Sequence, residues 1–150
     1  MDIATHTKPH QLERYSFLWS EARLVIAALA LFLGGVPPLT LVAPSFLYGF
    51  VSTLLTLSWL ISGVASAYLL YRWLKAKKML FGAKATRDTV AFLVSVVSGF
   101  NLGLTGLFDT NIGMSISSNK LLLIVVGLIY LAAAYHLHKR VKAHGGKLFA

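Results

Sequence analysis

The chain contains a run of twenty residues without a charge, from Thr89 to Phe108. Arg87 and Asp88 precede this run, and Asp109 follows it. A helix of that length covers about 30 Å, which is the thickness of the hydrocarbon core of a bilayer. The run therefore predicts a membrane-spanning helix, and the rest of the chain has to fold around it.

This helix is expected to carry small residues on one side and large apolar residues on the other. On a helical wheel the small side holds Ser95, Ser98, Gly99, Gly103, Thr105, Gly106 and Asp109. In lipid, helices pack against one another through small residues and present large residues to the acyl chains. We therefore interpret Ser95, Gly99, Gly103 and Gly106 as helix-packing residues.

A second charge-free run, residues 46–71, repeats this arrangement. Its small residues share one arc of the wheel, and they are Gly49, Ser52, Thr53, Thr56, Gly63, Ser66 and Ala67. We expect the two spans to be packing partners, with Gly49, Ser52, Thr56 and Gly63 at their contact. The same faces could instead join copies of the chain in an oligomer, because small-residue faces allow close packing both within one chain and between chains.

The composition places the chain in the membrane class. Hydrophobic residues make up 57% of the 150 residues and charged residues only 13%, whereas soluble domains carry about 25% charged residues. The mean hydropathy is +0.71. The chain contains no cysteine, which excludes disulfides and thiolate chemistry. We therefore expect one membrane domain covering residues 1–150, in an all-α fold.

Two further apolar runs, at residues 21–43 and 121–137, complete a set of four predicted spans. Pro37 and Pro38 interrupt the first run after too few residues for a full crossing. Either this helix starts in the polar segment 1–20, or the stretch before Pro38 is a kink and the span continues to Ala43.

We favour a first helix from about Gln11 to Val36, followed by an irregular turn. Arg23 would then lie near the membrane surface and extend its side chain to the lipid headgroups. Residues 1–20 are expected to form a tail with an interfacial start, and residues 138–150 a basic tail.

The positions of lysine and arginine predict the orientation of the bundle. Thirteen of the fourteen lie before the first span, between spans two and three, or after the last span. The two remaining loops, 37–45 and 109–120, contribute only Lys120. Since loops rich in lysine and arginine stay in the cytoplasm, we expect four helices in a compact bundle with both termini cytoplasmic. The protein would be a multi-pass protein of the cell membrane, most naturally a bacterial or archaeal cytoplasmic membrane.

The net charge of +9 would suggest nucleic acid as a partner in a soluble protein. Here the charges sit at a membrane surface, so we expect the lipid bilayer as partner and no nucleic acid. The basic residues of the middle link, which are Arg72, Lys75, Lys77 and Lys78, could bind anionic lipid headgroups. The simpler interpretation, which we favour, is that these residues are the topology signal itself.

Polar residues within the spans are the candidates for chemistry, because each costs free energy to bury in lipid. Asn101 and Asp109 lie eight residues apart, about 80° from each other on a helical wheel, and therefore on roughly the same side of a helix. With Thr53 and Thr105 they form a possible polar path. The alternative is that Asn101 makes a hydrogen bond between helices and that Asp109 ends its helix in water.

The histidine pairs do not have the spacing of a zinc site. His136 and His138 fall on nearly opposite sides of a helix, and His6 and His10 straddle Pro9 in the tail. No triad, paired buried carboxylates or phosphate-binding loop is apparent. We therefore expect no metal, no cofactor and no catalytic residues.

These observations favour a non-catalytic integral membrane protein that acts as a subunit of a membrane complex or as a homo-oligomer. Its partners would be copies of itself or other membrane subunits. The alternative is an oligomeric ion channel or small-solute transporter with a polar path along spans two and three. A membrane enzyme acting on a lipid or quinone-like substrate is disfavoured, because acids are scarce and the histidines are poorly placed.

Overall fold

A computed structural model of the chain describes residues 8–116 and 118–149, and these residues form helices without any β-strand. The helices are α1 (Pro9–Phe32), α2 (Pro38–Val42), α3 (Tyr48–Lys75), α4 (Thr86–Phe108), α5 (Ile112–Ile116) and α6 (Lys120–Ala143), with a 3-10 turn at Ser45–Leu47 before α3. The prediction of an all-α fold is confirmed.

Four of these helices, α1, α3, α4 and α6, are long and apolar enough to cross a bilayer. The shortest, α4, has 23 residues and is therefore about 35 Å long. Large apolar side chains such as Phe50, Val64 and Leu107 are exposed along them, as expected of surfaces that face lipid. The length and composition of these four helices are those of a multi-pass membrane protein.

The four long helices form a ring in the order α1, α3, α4, α6, and α1 closes the ring by packing on α6. The most extensive contact joins α3 to α4, and α1 also meets α4 across the middle of the bundle. Helices α3 and α4 run in opposite directions, because Leu60 lies beside Gly106 and Ser66 beside Gly99. The same holds for α1 and α3, since Glu13 pairs with Arg72 and Trp19 with Ser62. It also holds for α4 and α6, since Asp88 at the start of α4 pairs with Arg140 near the end of α6. The connections between successive long helices therefore lie alternately at one end of the bundle and at the other.

Small residues set how closely α3 and α4 approach each other. A Cβ added to Gly103 would lie 2.7 Å from the Cα of Gly63, and one added to Gly99 would collide with the side chain of Ser66. Gly49 differs, since nothing lies within 4 Å of an added Cβ there. Ser52 is exposed as well and Thr56 is partly exposed. The structure thus brings Gly63, Gly99, Gly103 and Gly106 into the contact between α3 and α4 and leaves the start of α3 open.

The first span differs from its predicted boundaries. The helix begins at Pro9 and ends at Phe32, rather than running from Gln11 to Val36. Proline is favoured in the first turn of a helix, because it needs no hydrogen-bond donor there. Gly34 and Gly35 have positive φ angles of 76° and 90°, which end the helix, and Pro38 starts the separate short helix α2.

The two ends of the bundle differ in charge. The basic end carries the start of α1, the link between α3 and α4, and the segment after α6. The opposite end, with residues 33–47, 109–116 and 118–119, is called the neutral end. The predicted tail 138–150 is largely ordered at the basic end: α6 continues to Ala143, and Leu148 is buried. Its carbonyl accepts a hydrogen bond of 2.9 Å from the Phe81 amide.

Candidate ligand-binding cavity

Arg23 lies inside the bundle and does not reach the membrane surface. It stands fourteen residues after Pro9, about 21 Å along α1, and only 6% of it is exposed. Phe17, Ser20, Leu24 and Ala28 are buried on the same helix. Since residues three and four apart share a helix face, these positions turn Arg23 inward, and the expected extension to the headgroups does not occur.

Two serines of α4 hold the guanidinium group. Arg23 Nη1 donates a hydrogen bond of 3.1 Å to Ser98 Oγ, and Nη2 donates one of 2.8 Å to the Ser95 carbonyl oxygen. The Nε atom is buried and has no partner among the described residues. No carboxylate of residues 8–116 and 118–149 lies within ion-pairing distance of Arg23. Its positive charge is therefore solvated by neutral groups alone.

This arrangement is costly for a membrane protein. An arginine at the centre of a spanning helix costs at least about 2.5 kcal/mol to insert. Hydrogen bonds to a charged group each offset about 1.5–3 kcal/mol, so the two serine contacts compensate for much of this cost. They leave the charge itself without a counter-ion, which is the situation that marks functional sites in membrane interiors.

Arg23 lines a cavity of about 420 Å³ enclosed by α1, α3, α4 and α6. Known ligand pockets have volumes of about 300–1,000 Å³ and mostly apolar walls. The apolar part of this wall includes Ile26, Ala27, Ala30, Leu55, Leu122 and Val126. The cavity thus combines a single cation with a hydrophobic lining.

The cavity extends from Arg23 to the two connections at the neutral end. Gly35 and Pro37 line it from one connection, and Asn111 and Met114 line it from the other. The side chain of Met114 packs against Gly35 so closely that an added Cβ would lie 2.6 Å from its methyl carbon. The wall of the cavity at this end is therefore formed by two short segments as well as by the long helices.

Asn101 fixes one of these segments to α4. Its Nδ2 donates a hydrogen bond of 2.9 Å to Asn111 Oδ1, and its Oδ1 accepts one of 3.1 Å from the Gly113 amide. Asn111 Oδ1 also accepts a hydrogen bond from the Met114 amide. Asn101 thus positions the wall that contains Met114.

A second polar contact borders the cavity between α1 and α3. Trp19 Nε1 donates a hydrogen bond of 3.0 Å to Ser62 Oγ, which in turn donates one of 2.6 Å to the Ser58 carbonyl oxygen. The indole ring therefore has a fixed position beside the cavity. The indole nitrogen of Trp19 thus has a hydrogen-bond partner, whereas Arg23 Nε has none among the described residues.

The basic end of the bundle is closed. Asp88 at the start of α4 accepts hydrogen bonds from Arg140 at 2.8 and 3.1 Å and contacts His136 Nε2 at 2.7 Å. Glu13 pairs with Arg72 at 2.9 Å. Beneath these pairs lies a buried apolar cluster that includes Leu69, Trp73, Phe92, Leu137 and Leu148. None of these residues lines the cavity.

The four residues of the predicted polar path do not form one group. Asn101 and Thr105 line the cavity. Thr53 is exposed on α3 and donates its hydroxyl hydrogen bond to the Gly49 carbonyl. Asp109 is exposed and ends α4 in a left-handed conformation, with φ of 52°.

The predicted headgroup residues are in part engaged within the protein. Arg72 is bound by Glu13, and the Lys75 ammonium lies 5.0 Å from the centre of the Tyr71 ring. Lys77 and Lys78 are exposed in the turn after α3. The latter two are the most accessible to lipid headgroups.

The histidines that the structure describes do not form a metal site. His136 contacts Asp88 and His138 contacts Glu21, which agrees with their expected positions on different sides of α6. His6 lies outside the described residues. Among the described residues, no three histidine, aspartate or glutamate side chains are grouped as metal ligands would be.

No protein family, curated protein or solved structure matches this chain. The function has to be inferred from the site itself.

Proposed function

We propose that the protein is a non-catalytic membrane carrier that binds a small, mostly apolar molecule in the cavity beside Arg23. It would lie in the cell membrane with both termini in the cytoplasm, as the lysine and arginine distribution indicates. The observation that carries the proposal is the cavity of about 420 Å³ within the bundle. The proposal develops the transporter alternative that the sequence left open. The sequence predicted a polar path along spans two and three, whereas α1 and α6 also line the cavity.

The difference between the two ends of the bundle supports a carrier. The cavity extends to the neutral end, whereas ion pairs and the cluster around Trp73 and Phe92 close the basic end. A site near the midplane that is accessible from one side is what alternating access requires. An open channel would instead need a path through the closed cluster.

The proposal is tested by filling the cavity. Ala27 lines it and is partly buried, so Ala27→Leu adds side-chain volume to the binding space. Ala67→Leu is a matched control, because Ala67 is exposed on α3. The protein in nanodiscs would be incubated with a mixed extract of cellular small molecules and analysed by native mass spectrometry.

We expect a retained small molecule with the unaltered protein and with Ala67→Leu, and at least tenfold less with Ala27→Leu. In liposomes, the same molecule should exchange across the bilayer in the presence of the unaltered protein. Equal retention by all three proteins would contradict binding in the cavity. Binding without exchange would contradict the carrier role alone.

The subunit role remains a second candidate, favoured by one observation. The start of α3 presents Gly49, Ser52 and Thr53 at exposed positions, and nothing in the described chain covers Gly49. Small exposed residues on a spanning helix allow close approach of another helix. Native mass spectrometry of Gly49→Leu and the unaltered protein would test this role. A defined oligomer lost in the variant would support it, and a monomer in both would contradict it.

A further inference from the structure

The proposed carrier role leaves open what kind of molecule the cavity accepts, and Arg23 bears on that question. Arg23 is 94% buried, given its exposure of 6%, yet it lines the cavity. Its nearest polar contacts are the hydroxyl of Ser98 and the carbonyl of Ser95, both neutral. Among the described residues, neither α1 nor any helix packed against Arg23 places a carboxylate within ion-pairing distance of its guanidinium group.

The acids of the structure are engaged elsewhere or lie far away. Glu13, Glu21 and Asp88 pair with Arg72, His138 and Arg140, toward the basic end. Asp109 is exposed at the end of α4, fourteen residues after Ser95 and thus about 21 Å further along the helix. Among the acids that the structure describes, none is left to pair with Arg23, and a bound ligand would supply the missing negative charge.

We infer that Arg23 binds the acidic headgroup of an amphiphilic ligand whose apolar part occupies the rest of the cavity. The inference rests on the proposed function and specifies its ligand class. The planar guanidinium matches a carboxylate with two parallel hydrogen bonds, and Nη1 carries a second hydrogen beyond the one that it donates to Ser98. In a water-poor interior, a charge-assisted contact of this kind is far stronger than at a surface.

The apolar wall of the cavity determines the chemistry of the part of the ligand that lies away from Arg23. Ile26, Ala30, Leu55, Leu122 and Val126 line the cavity away from the guanidinium. They offer no charged partner for a second ionised group. A ligand with one acidic group and one aliphatic chain fits both parts of the site, whereas a dicarboxylate or a cationic amphiphile would leave a charge unpaired.

Such a ligand has two sources, a free fatty acid and an anionic lipid of the bilayer. The first arm of the test measures binding of radiolabelled dodecanoate to the full chain in phosphatidylcholine nanodiscs, with protein-free nanodiscs subtracted. Dodecanol and dodecyltrimethylammonium serve as competitors with the same chain and a neutral or positive headgroup. The second arm extracts the protein from membranes containing phosphatidylglycerol and identifies retained lipid by native mass spectrometry.

Three variants isolate the role of the guanidinium. Arg23→Met removes the charge, and Arg23→Lys keeps the charge but loses the paired donors. Arg14→Met is the matched control, because Arg14 lies on the same helix and is exposed. Loss of one partner of a buried charge pair should weaken binding by on the order of 100-fold.

The inference predicts saturable dodecanoate binding that dodecanol and dodecyltrimethylammonium displace poorly. Binding should fall about 100-fold in Arg23→Met, less in Arg23→Lys, and remain unchanged in Arg14→Met. Retention of phosphatidylglycerol that depends on Arg23 would also support the inference and would assign the headgroup to a bilayer lipid.

Equal affinity for dodecanoate and dodecanol, with no effect of Arg23→Met, would overturn the inference while leaving a ligand-binding cavity. Absence of saturable binding and of retained anionic lipid would overturn it as well. The comparison of the three headgroups uses the unaltered protein, so it decides the question even if Arg23→Met does not fold.

Discussion

The contact between Gly63 and Gly103 allows a worked prediction about the stability of the bundle. In Gly103→Ala, the new Cβ would lie 2.7 Å from the Cα of Gly63, where ordinary carbon contacts begin at about 3.5 Å. The obstacle is backbone, so no side chain can rotate away, and α3 and α4 have to separate. Overpacking of this kind costs about 1–3 kcal/mol.

Two opposing effects determine the net change. Replacing glycine by alanine inside a helix gains about 0.5–1 kcal/mol from the reduced freedom of the unfolded chain. We therefore expect Gly103→Ala to lower the free energy of unfolding by up to about 2.5 kcal/mol, after the helix gain is subtracted from the overpacking cost. Gly49→Ala has the same helix gain without the overpacking, because nothing lies within 4 Å of its added Cβ.

The assay is reversible unfolding of the purified protein in mixed micelles, followed by circular dichroism as sodium dodecyl sulfate is added. The free energy of unfolding of Gly103→Ala should lie below that of the unaltered protein, and that of Gly49→Ala should be equal or higher. If Gly103→Ala is as stable as Gly49→Ala, the close approach of α3 and α4 within one chain is refuted.

Two other substitutions test the ends of the bundle. Asp88→Asn should lower the free energy of unfolding by about 2–4 kcal/mol in the same assay, because it leaves Arg140 and His136 without their buried partner. The control Asp109→Asn, at an exposed acid, should change the free energy of unfolding by less than about 0.5 kcal/mol. Equal effects of the two substitutions would contradict a stabilising ion pair at Asp88. Asn101→Leu removes the contacts that hold Asn111 and the Gly113 amide, so amide hydrogen exchange should accelerate in α5 but not in α6, and unchanged exchange in α5 would contradict this role.

The number and approximate position of the long helices could be predicted from the sequence, because each follows an uninterrupted apolar run. The run from Thr89 to Phe108 lies within α4, and residues 46–71 fall within the span that ends at Lys75. The boundaries were less accurate, since α1 and α6 extend into polar sequence. Helix in these extensions is stabilised by tertiary contacts such as Glu13 with Arg72, which join residues 59 positions apart.

The buried position of Arg23 differs from the sequence prediction, although the sequence contains a signal for it. The apolar run from Leu24 to Val36, just before Pro37, has only thirteen residues, so a full span has to begin well before Arg23 and must contain it. The direction of its side chain could not be predicted, because it depends on Ser95 and Ser98, which are 72 and 75 residues away in the chain. The residues of the polar path were assigned by wheel position, which cannot distinguish the cavity side of α3 from its exposed side at Thr53.

The most direct test of the account is the accessibility of a cysteine placed in the cavity. The chain contains no cysteine, so Ala27→Cys, Ala67→Cys and Lys77→Cys each provide a single reactive thiol for a small, membrane-impermeant methanethiosulfonate. With sealed vesicles of known orientation, we expect Lys77→Cys to react from one face, Ala27→Cys only from the opposite face, and Ala67→Cys from neither. A cysteine at position 27 that reacts from the same face as position 77, or that does not react from either face, would contradict a cavity open at the neutral end.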